Sequence, residues 1–360
     1  MQILCPMHMK TDFLRLFLVV FVALAVSCQQ RDRYVVFSGF AQGGTWAVKA
    51  NMKGVSVKEK DVQDTLDAIL LQIDNSLSGY NKGSLLSRFN AGETIVPDSL
   101  FLDIYGRSFD IYELTQGYID PASSPLFDIW GFGFKSGEMP SDDKVTRTLA
   151  GCGMDRLFED IRGALSPNGE LSSGDLLLAG AGEALPQLNY NAIAQGYSCD
   201  VVASYLYSIG VKDMMVDIGE IFCDGVNPSG RQWTIGIDCH VDGNNTPGQN
   251  LQAIFKVPAG AHGVVTSGNY RKFYIKDGRK YAHTVDPRTG YPVSHSLLSA
   301  TILASDATMA DAYATYCMVI GLEASKEFLS SQPDLEGCLI YDEGGEFKIW
   351  TSEGFSIEKQ

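Results

Sequence analysis

Apolar residues recur at helical spacing in one segment near the start of the chain. Between Val57 and Tyr80 the apolar positions fall three or four residues apart, and they are Val62, Leu66, Ile69, Leu70, Ile73 and Leu77. Residues at this spacing share one face of a helix, which is typical of an amphipathic helix packed on a core. The preceding segment, YVVFSGFAQGGTWAVKA, alternates apolar and polar residues around a Gly-Gly pair and predicts two strands.

The second half of the chain has the pattern of successive strands. Beyond Asp213, short apolar runs are separated by turn residues, and these runs are MMVDIG, QWTIGID, AIFKV, GVVTSG, KFYIKDGRKYAHTV, LLSATILAS, GCLIYD and EFKIWTS. Asp277-Gly278 predicts a hairpin turn within this series. The middle, residues 101–204, mixes short helices with DPASSPLFDIWGFGF, which is too rich in Pro, Gly and aromatic residues for a regular element and predicts a pocket wall. This order predicts an α+β fold with a largely antiparallel sheet.

Composition restricts the choice of partner more than the choice of fold. The 360 residues are 45% hydrophobic and 20% charged, which is ordinary for a globular protein with a buried core in one large or two small units. The 43 acidic and 28 basic residues give a formal charge of −15. Phosphate backbones and anionic lipids attract chains with an excess of Lys and Arg, so a nucleic-acid partner is disfavoured. An anionic ligand would need a local cation, and a bound metal ion would supply one.

The N-terminal segment predicts an export signal. Lys10 and Arg15 precede the apolar run LFLVVFVALAVSC, which ends at Cys28. A positive region, a short apolar run and small residues before a cysteine are typical of a bacterial lipoprotein signal. The pattern predicts removal of residues 1–27, lipid attachment at Cys28 and a mature domain over residues 28–360 on the periplasmic side of the inner membrane. An uncleaved membrane span is the alternative, but the run is shorter than the ~20 residues that a span needs.

Export implies an oxidising compartment, so the remaining cysteines need an interpretation. They are Cys152, Cys199, Cys223, Cys239, Cys317 and Cys338. None has the spacing of a C-x-x-C or Cys/His zinc site, which argues against thiolate metal ligands. We expect most of them to be buried as small apolar residues. A Cys223–Cys239 disulfide remains an alternative.

The segment SDATMADAYATYCMVIG predicts a helix from an N-cap at Ser305 to a terminating Gly321. Asp311 and Thr315 are four residues apart and share one face, and the helix is almost wholly apolar after Asp311. A buried carboxylate needs a cation or hydrogen-bond donors. An aspartate and a hydroxyl together suit Mg²⁺, which prefers oxygen ligands, whereas the alternative is a structural aspartate held by backbone amides.

A second group of polar residues lies in YAHTVDPRTGYPVSHS. His283 stands at a predicted strand end beside Asp286 and Arg288, and it could act as general base because the ordinary pKa of histidine is ~6.5. A structural role is the alternative. Arg271, in TSGNYRKFY, could contact a phosphate. The chain carries neither a P-loop nor a dinucleotide-binding glycine motif nor a G-x-S-x-G nucleophile elbow.

Taken in order, these motifs resemble the FAD:protein FMN transferase (ApbE) family of exported flavin transferases. The resemblance extends from Phe37 to Glu323, and its motifs are FAQGGTW, SGYNKGSLLSRFN, DPASSPLFDIWGFG, LNYNAIAQGYSCD, VDIGEI, GVNPSGRQWTIGI, TSGNYRKFY, YAHTVDPRTGYPV and ASDATMADAYAT. The family implies an α+β fold with a T-fold-like antiparallel sheet and packed helices. It also implies Mg²⁺-dependent transfer of the FMN moiety of FAD to a Thr or Ser hydroxyl of a target protein, with release of AMP.

The resemblance also implies roles for individual residues. Asp311, Thr315 and the backbone carbonyl of Ala192 would hold the metal, and His283 would be the catalytic base. Tyr80 would stack on the isoalloxazine ring of FAD. The other residues that would line the FAD site are Gln42, Ala122, Ser123, Asn189, Gln195 and Val285, the last through its backbone.

Two departures from the family pattern stand out. Asn189 and Gln195 replace the usual Asp and Lys, so one charged contact of each sign is absent, although amide hydrogen bonds can take their place. The family's GGE appears as Gly219-Glu220, with one glycine fewer. Two other functions fit the same scaffold, namely an FAD pyrophosphatase that releases FMN and AMP, and a non-catalytic, lipid-anchored flavin-binding protein.

Overall fold

A computed structural model describes most of the chain, namely residues 33–134, 139–157, 186–238, 251–269, 273–276 and 279–359. Several features predicted from the sequence lie outside these residues, and they are the export signal with Cys28, Cys239, Arg271 and the Asp277-Gly278 turn. Within the described part, no helix has the length and apolar character that crossing a membrane requires.

Helices and strands are interspersed along the chain. The helices are α1 (Glu59–Leu77), α2 (Leu85–Asn90), α3 (Ser99–Leu114), α4 (Ser124–Ile129), α5 (Asp142–Leu149), a 3₁₀ turn (Met154–Arg156), α6 (Ala194–Ser208), α7 (Ala307–Ile320) and α8 (Leu322–Ser331). The strands are β1 (Tyr34–Ala41), β2 (Gly44–Asn51), β3 (Met214–Asp217), β4 (Ile221–Asp224), β5 (Thr234–Asp238), β6 (Leu251–Lys256), β7 (His262–Gly268), β8 (Phe273–Lys276), β9 (Arg279–Ala282), β10 (Val285–Asp286), β11 (Tyr291–Pro292), β12 (Leu297–Ala304), β13 (Glu336–Glu343), β14 (Glu346–Thr351) and β15 (Ile357–Lys359).

One large antiparallel sheet organises the fold. Its eight strands have the order β1-β2-β3-β4-β7-β12-β13-β14, and each strand pairs antiparallel with its neighbours. A smaller sheet has the order β15-β6-β5, and the hairpins β8-β9 and β10-β11 are separate. The predicted α+β fold with an antiparallel sheet is therefore confirmed.

Helices cover the large sheet on the side that carries the candidate chemistry. Helix α1 packs on β1, α6 on β3 and β4, and α7 across β7 and β12. The predicted stripe of α1 is confirmed, because its members are buried apart from Ile69, which is partly buried against the same core. The five described cysteines, Cys152, Cys199, Cys223, Cys317 and Cys338, are all buried, also as predicted.

Two local predictions are wrong. The N-cap of α7 is Asp306 rather than Ser305, because the Asp306 carboxylate accepts a hydrogen bond from the Met309 amide at 2.9 Å. The stretch DPASSPLFDIWGFGF is not wholly irregular, since it contains helix α4. Pro125 lies in the first turn of that helix, where its missing N–H has no intrahelical acceptor to lose.

Candidate active site

The crossing of α6 and α7 builds one side of the site. Asp200 on α6 caps α7, because its carboxylate oxygens accept the amides of Ala307 and Thr308 at 2.9 Å each and the Thr308 hydroxyl as well. Gly196 allows the close crossing, since a Cβ there would lie 2.2 Å from the Ala307 carbonyl oxygen. Neither contact was predictable from the sequence, because the partners lie more than one hundred residues apart.

Asp311 is buried at this crossing, as its position on the predicted helix required. Its side chain is only 5% exposed, and its Oδ2 accepts a hydrogen bond from the Gly196 amide at 3.1 Å. Burial and the charge of nearby Asp200 raise the pKa of the Asp311 carboxyl well above its ordinary value, against the effect of the Gly196 hydrogen bond. One amide donor does not compensate a buried carboxylate, whereas a bound cation would.

The Ala192 carbonyl lies just before α6 and is available as a ligand. Gly196 donates its N–H to Asp311, so it does not close the usual helical bond to the carbonyl four residues earlier. In the described part of the chain, no backbone N–H donates to the Ala192 oxygen. The same local geometry therefore directs the Asp311 carboxylate toward α6 and leaves the Ala192 oxygen without a backbone donor among the described residues.

Thr315 provides the third oxygen of the predicted metal site, after the Asp311 carboxylate and the Ala192 carbonyl. It lies one turn after Asp311 on α7, and its Oγ1 is 3.2 Å from the Ser267 hydroxyl on β7. No cluster of three or more His, Cys, Asp or Glu side chains suited to a metal occurs in the described ranges. A carboxylate, a hydroxyl and a carbonyl, of which only the carboxylate is charged, fit Mg²⁺ as ligands. Mg²⁺ fills its remaining coordination positions with water or phosphate oxygens. The donor set therefore fits the metal that the sequence predicted.

The residues expected to bind the flavin gather around the segment that leads into α6. The Tyr80 ring is 63% exposed and meets Phe134 edge to face at 5.0 Å, which leaves ring surface for stacking. The Tyr80 hydroxyl accepts a long hydrogen bond from the Asn191 side chain at 3.4 Å. Asn189 bonds through its backbone N–H to the Pro121 carbonyl at 2.7 Å, which places it beside Ala122 and Ser123.

Gln42 and Gln195 meet α6 from different sides. Gln42 occupies the β1-β2 turn with φ of 51°, and its amide donates to the Ser198 hydroxyl at 2.5 Å. Gln195 donates to the Ile218 carbonyl at 3.1 Å, in the turn between β3 and β4. In that turn the Glu220 carboxylate accepts the Thr266 amide of β7 at 3.4 Å. The structure thus engages Gln195 and Glu220 in holding this turn, and the contact of Gln195 with FAD remains a prediction.

The short β10-β11 hairpin presents His283 and Val285. The Thr284 hydroxyl donates to the buried Asn269 side chain at 2.6 Å, and the ring of Phe132 lies 6.5 Å from the His283 ring. Val285 is buried, which leaves its backbone as the group that could face a ligand. The hairpin is thereby joined to the end of β7, two residues beyond Ser267.

A cavity of about 290 Å³ lies between Pro287 and Arg288 of the hairpin and the residues around Asp120 and Cys152. Its lining includes Asp120, Asp155 and Arg288. Burial raises the pKa of Asp120 to about 6, although the Ala122 amide donates to its carboxylate at 2.9 Å. The predictions from sequence had singled out Arg288 but neither of these two acids.

Comparison with known proteins decides the family. The model of the ApbE family matches residues 43–339, which is most of the chain. The chain belongs to the ApbE family. The family resemblance drawn from the motifs is thereby confirmed, and so is the fold that it implied, because solved ApbE structures superpose on this chain.

Three ApbE relatives illustrate the similarity. The FAD:protein FMN transferase of Escherichia coli K12 is 29% identical over 96% of this chain and 97% of its own length. The flavin transferase ApbE from Vibrio cholerae has a TM-score of 0.73 and 29% identity, covering 89% of this chain and 98% of that chain. The apo flavinyl transferase ApbE of Pseudomonas stutzeri has a TM-score of 0.75 and 28% identity, covering 90% and 96%.

Sequence reasoning missed three residues that contact the predicted ligands or the helix that carries them. The Gly196 amide donates to Asp311, Asp200 caps α7, and Ser267 contacts Thr315. Ser267 belongs to the TSGNYRKFY motif, so its small hydroxyl at a strand end was the one signal available.

Proposed function

We propose that this chain is an FAD:protein FMN transferase that requires Mg²⁺, transfers the FMN moiety of FAD to a Thr or Ser hydroxyl of a target protein and releases AMP. The observation that carries the proposal is the oxygen set at the α6-α7 crossing, in a chain whose relatives along nearly its whole length bear that activity in their names. Mg²⁺ would be held by Asp311, Thr315 and the Ala192 carbonyl.

The chain's own groups have separable tasks in this reaction. Tyr80 offers an exposed ring face on which the isoalloxazine can stack. The amides of Asn189 and Gln42 supply neutral hydrogen-bonding groups near the same segment. A bound Mg²⁺ would neutralise pyrophosphate charge and stabilise AMP as leaving group.

His283 would accept the proton of the acceptor hydroxyl as its oxygen attacks the FMN phosphorus. The bond between that phosphorus and the bridging pyrophosphate oxygen breaks, and AMP carries away the electron pair. The Thr284–Asn269 hydrogen bond supports this role, because it fixes the residue next to His283 against β7. Positioning of this kind accounts for much of the rate in phosphoryl transfer.

Product analysis separates the proposal from its two rivals. Purified protein is incubated with FAD, Mg²⁺ and a candidate acceptor protein, followed by in-gel flavin fluorescence and AMP quantification. The transferase predicts fluorescent acceptor and AMP in equal amounts. Free FMN with AMP would instead indicate an FAD pyrophosphatase, and intact FAD a non-catalytic flavin-binding protein. A variant with Asp311→Ala serves as the blank for metal-dependent product.

We also propose that the mature protein begins at Cys28 and is anchored by lipid on the periplasmic side of the inner membrane. The support is the charged segment, the short apolar run and the cysteine in that order. An exported location would place the enzyme with exported acceptor proteins.

A further inference from the structure

Three side chains from distant parts of the sequence stack beside the proposed site. The Arg288 guanidinium carbon lies 4.1 Å from the centroid of the Tyr118 ring. Tyr118 in turn meets Tyr316 at 5.7 Å between centroids, with the ring planes 65° apart. We refer to Arg288, Tyr118 and Tyr316 as the aromatic bridge.

Each member of the aromatic bridge is attached to a different part of the site. Arg288 lies in the β10-β11 hairpin, five residues after His283. Tyr118 precedes the Ala122-Ser123 segment by four residues. Tyr316 follows the expected ligand Thr315 directly on α7, and it packs against Phe328 of α8 at 5.0 Å. The aromatic bridge therefore joins the hairpin beside His283, the Ala122-Ser123 segment and α7, which carries the expected metal ligands.

Other contacts hold the hairpin to different neighbours. The Trp130 indole N–H donates to the Gly290 carbonyl at 2.7 Å, which fixes the hairpin to the end of α4. The Thr284–Asn269 bond fixes it to β7. Two side-chain contacts lead from this region to α7: the aromatic bridge, and His295, which follows β11 and whose Nε2 lies 2.9 Å from the Met318 carbonyl oxygen. Of the two contacts, the aromatic bridge starts within the hairpin itself, so its loss should let the hairpin open more often and make its distance from α7 less well defined, while the Trp130 and Thr284 contacts keep it attached.

We propose that the aromatic bridge sets the position of His283 relative to the metal site, and that Arg288 and Tyr118 are positioning residues for FMN transfer. A planar guanidinium over an aromatic face has a preferred separation and orientation, and an edge-to-face ring pair has another. Both contacts are direct, and the groups that meet in them are planar. A displacement of about 1 Å between a base and its target can lower a rate by ~10²-fold, so small adjustments here have large effects.

A double-mutant cycle tests the proposal, which rests on the proposed function. Arg288→Ala should lower kcat for FMN transfer about tenfold or more at saturating FAD and Mg²⁺, and change the Kd for FAD less than about threefold. In a His283→Ala background the same substitution should cost less than about twofold, because a misplaced base and an absent base are equivalent. Tyr118→Phe should retain activity, whereas Tyr118→Leu should behave like Arg288→Ala.

A matched control removes a similar cation from another ring. Lys326 lies 5.1 Å from the centroid of Tyr341, away from the hairpin, so Lys326→Ala should leave transfer unchanged. Equal losses from Arg288→Ala with and without His283 would overturn the proposal, as would a large rise in the Kd for FAD, which would indicate direct contact with the substrate.

Hydrogen exchange gives a readout that does not depend on catalysis. The hairpin amides of Gly290 and Val293 donate to the Asp286 and Thr284 carbonyls at 2.8 and 3.0 Å. Arg288→Ala should lower their protection about tenfold, and Lys326→Ala should not. Unchanged protection in Arg288→Ala would defeat the aromatic bridge even if the wild type transfers FMN. If Arg288→Ala loses this protection but the wild type transfers no FMN, the proposed function is wrong. The role of the aromatic bridge in holding the hairpin would then still stand.

Discussion

His283 is the residue on which proton transfer depends in the proposed reaction. His283→Ala should lower FMN transfer by ~10²–10⁴-fold at saturating FAD, because that is the usual contribution of a general base. The affinity for FAD should stay within a small factor, since the residue is expected to act on the acceptor hydroxyl. Flavin fluorescence titration and transfer rates on one preparation measure both quantities.

A structural histidine would give the opposite result. Thr284, beside it, is buried and bonded to Asn269, so loss of a purely structural ring would lower the melting temperature or weaken FAD binding. If turnover at saturating FAD survives, the base lies elsewhere. Asp286 is then the first candidate, although its carboxylate already accepts the Arg288 amide at 2.8 Å.

The residues of the site differ in how far the sequence could reveal them. Asp311 and Thr315 were predictable because a helical repeat places positions four apart on one face. Ser267 and Gly196 could not be assigned, because their partners Thr315 and Asp311 lie on other elements, far away in sequence. The available Ala192 carbonyl also depends on that tertiary contact, and only the family resemblance had suggested it.

At the scale of elements, the crossing of α6 and α7 is the main structural requirement of the site. Gly196→Ala would bring a Cβ to 2.2 Å from the Ala307 carbonyl oxygen and 2.9 Å from the Asp311 Cβ. Since backbone must move to relieve the overlap, we expect a loss of about 1–3 kcal/mol in the free energy of unfolding. Mg²⁺ affinity should fall as well, because Asp311 and the Ala192 carbonyl separate.

Gly83→Ala is the matched control for this prediction. A Cβ at Gly83 would have the Asn81 side-chain oxygen at 3.5 Å as its nearest neighbour, an ordinary contact. Denaturant unfolding and Mg²⁺ titration compare the two variants. Equal stability and equal Mg²⁺ affinity in Gly196→Ala and wild type would show that the crossing can relax without cost.

Element type was predictable where the apolar repeat is long, as in α1 and α7, because periodicity reports the buried face directly. The exact end of a helix depends on side-chain geometry, which the sequence does not reveal. The sequence therefore indicated Ser305 as the N-cap of α7, whereas Asp306 provides the cap. Pairings between distant strands, such as β15 with β6, carry no local signal, since only the assembled core brings Ile357 opposite Phe255.

For the whole molecule, the prediction concerns attachment to the membrane. Cys28→Ala should move the protein out of the membrane fraction or abolish processing of residues 1–27, because a single residue would carry the lipid chains. Fractionation with intact-mass analysis of the wild type tests this. A wild-type mass without acyl groups would contradict the anchor, while leaving the transferase assignment unaffected.

The proposed metal site involves α6, α7 and β7, and the Mg²⁺ dependence of FMN transfer in the Asp311→Ala variant tests it most directly. Wild type and variant are compared over a Mg²⁺ series at saturating FAD, with melting temperature as the control for folding. We expect the variant to lose at least ~10²-fold in transfer at every Mg²⁺ concentration while remaining folded, because the one buried carboxylate of the donor set is gone. Wild-type transfer by the variant at low Mg²⁺ would contradict the metal site and make Asp311 a structural residue.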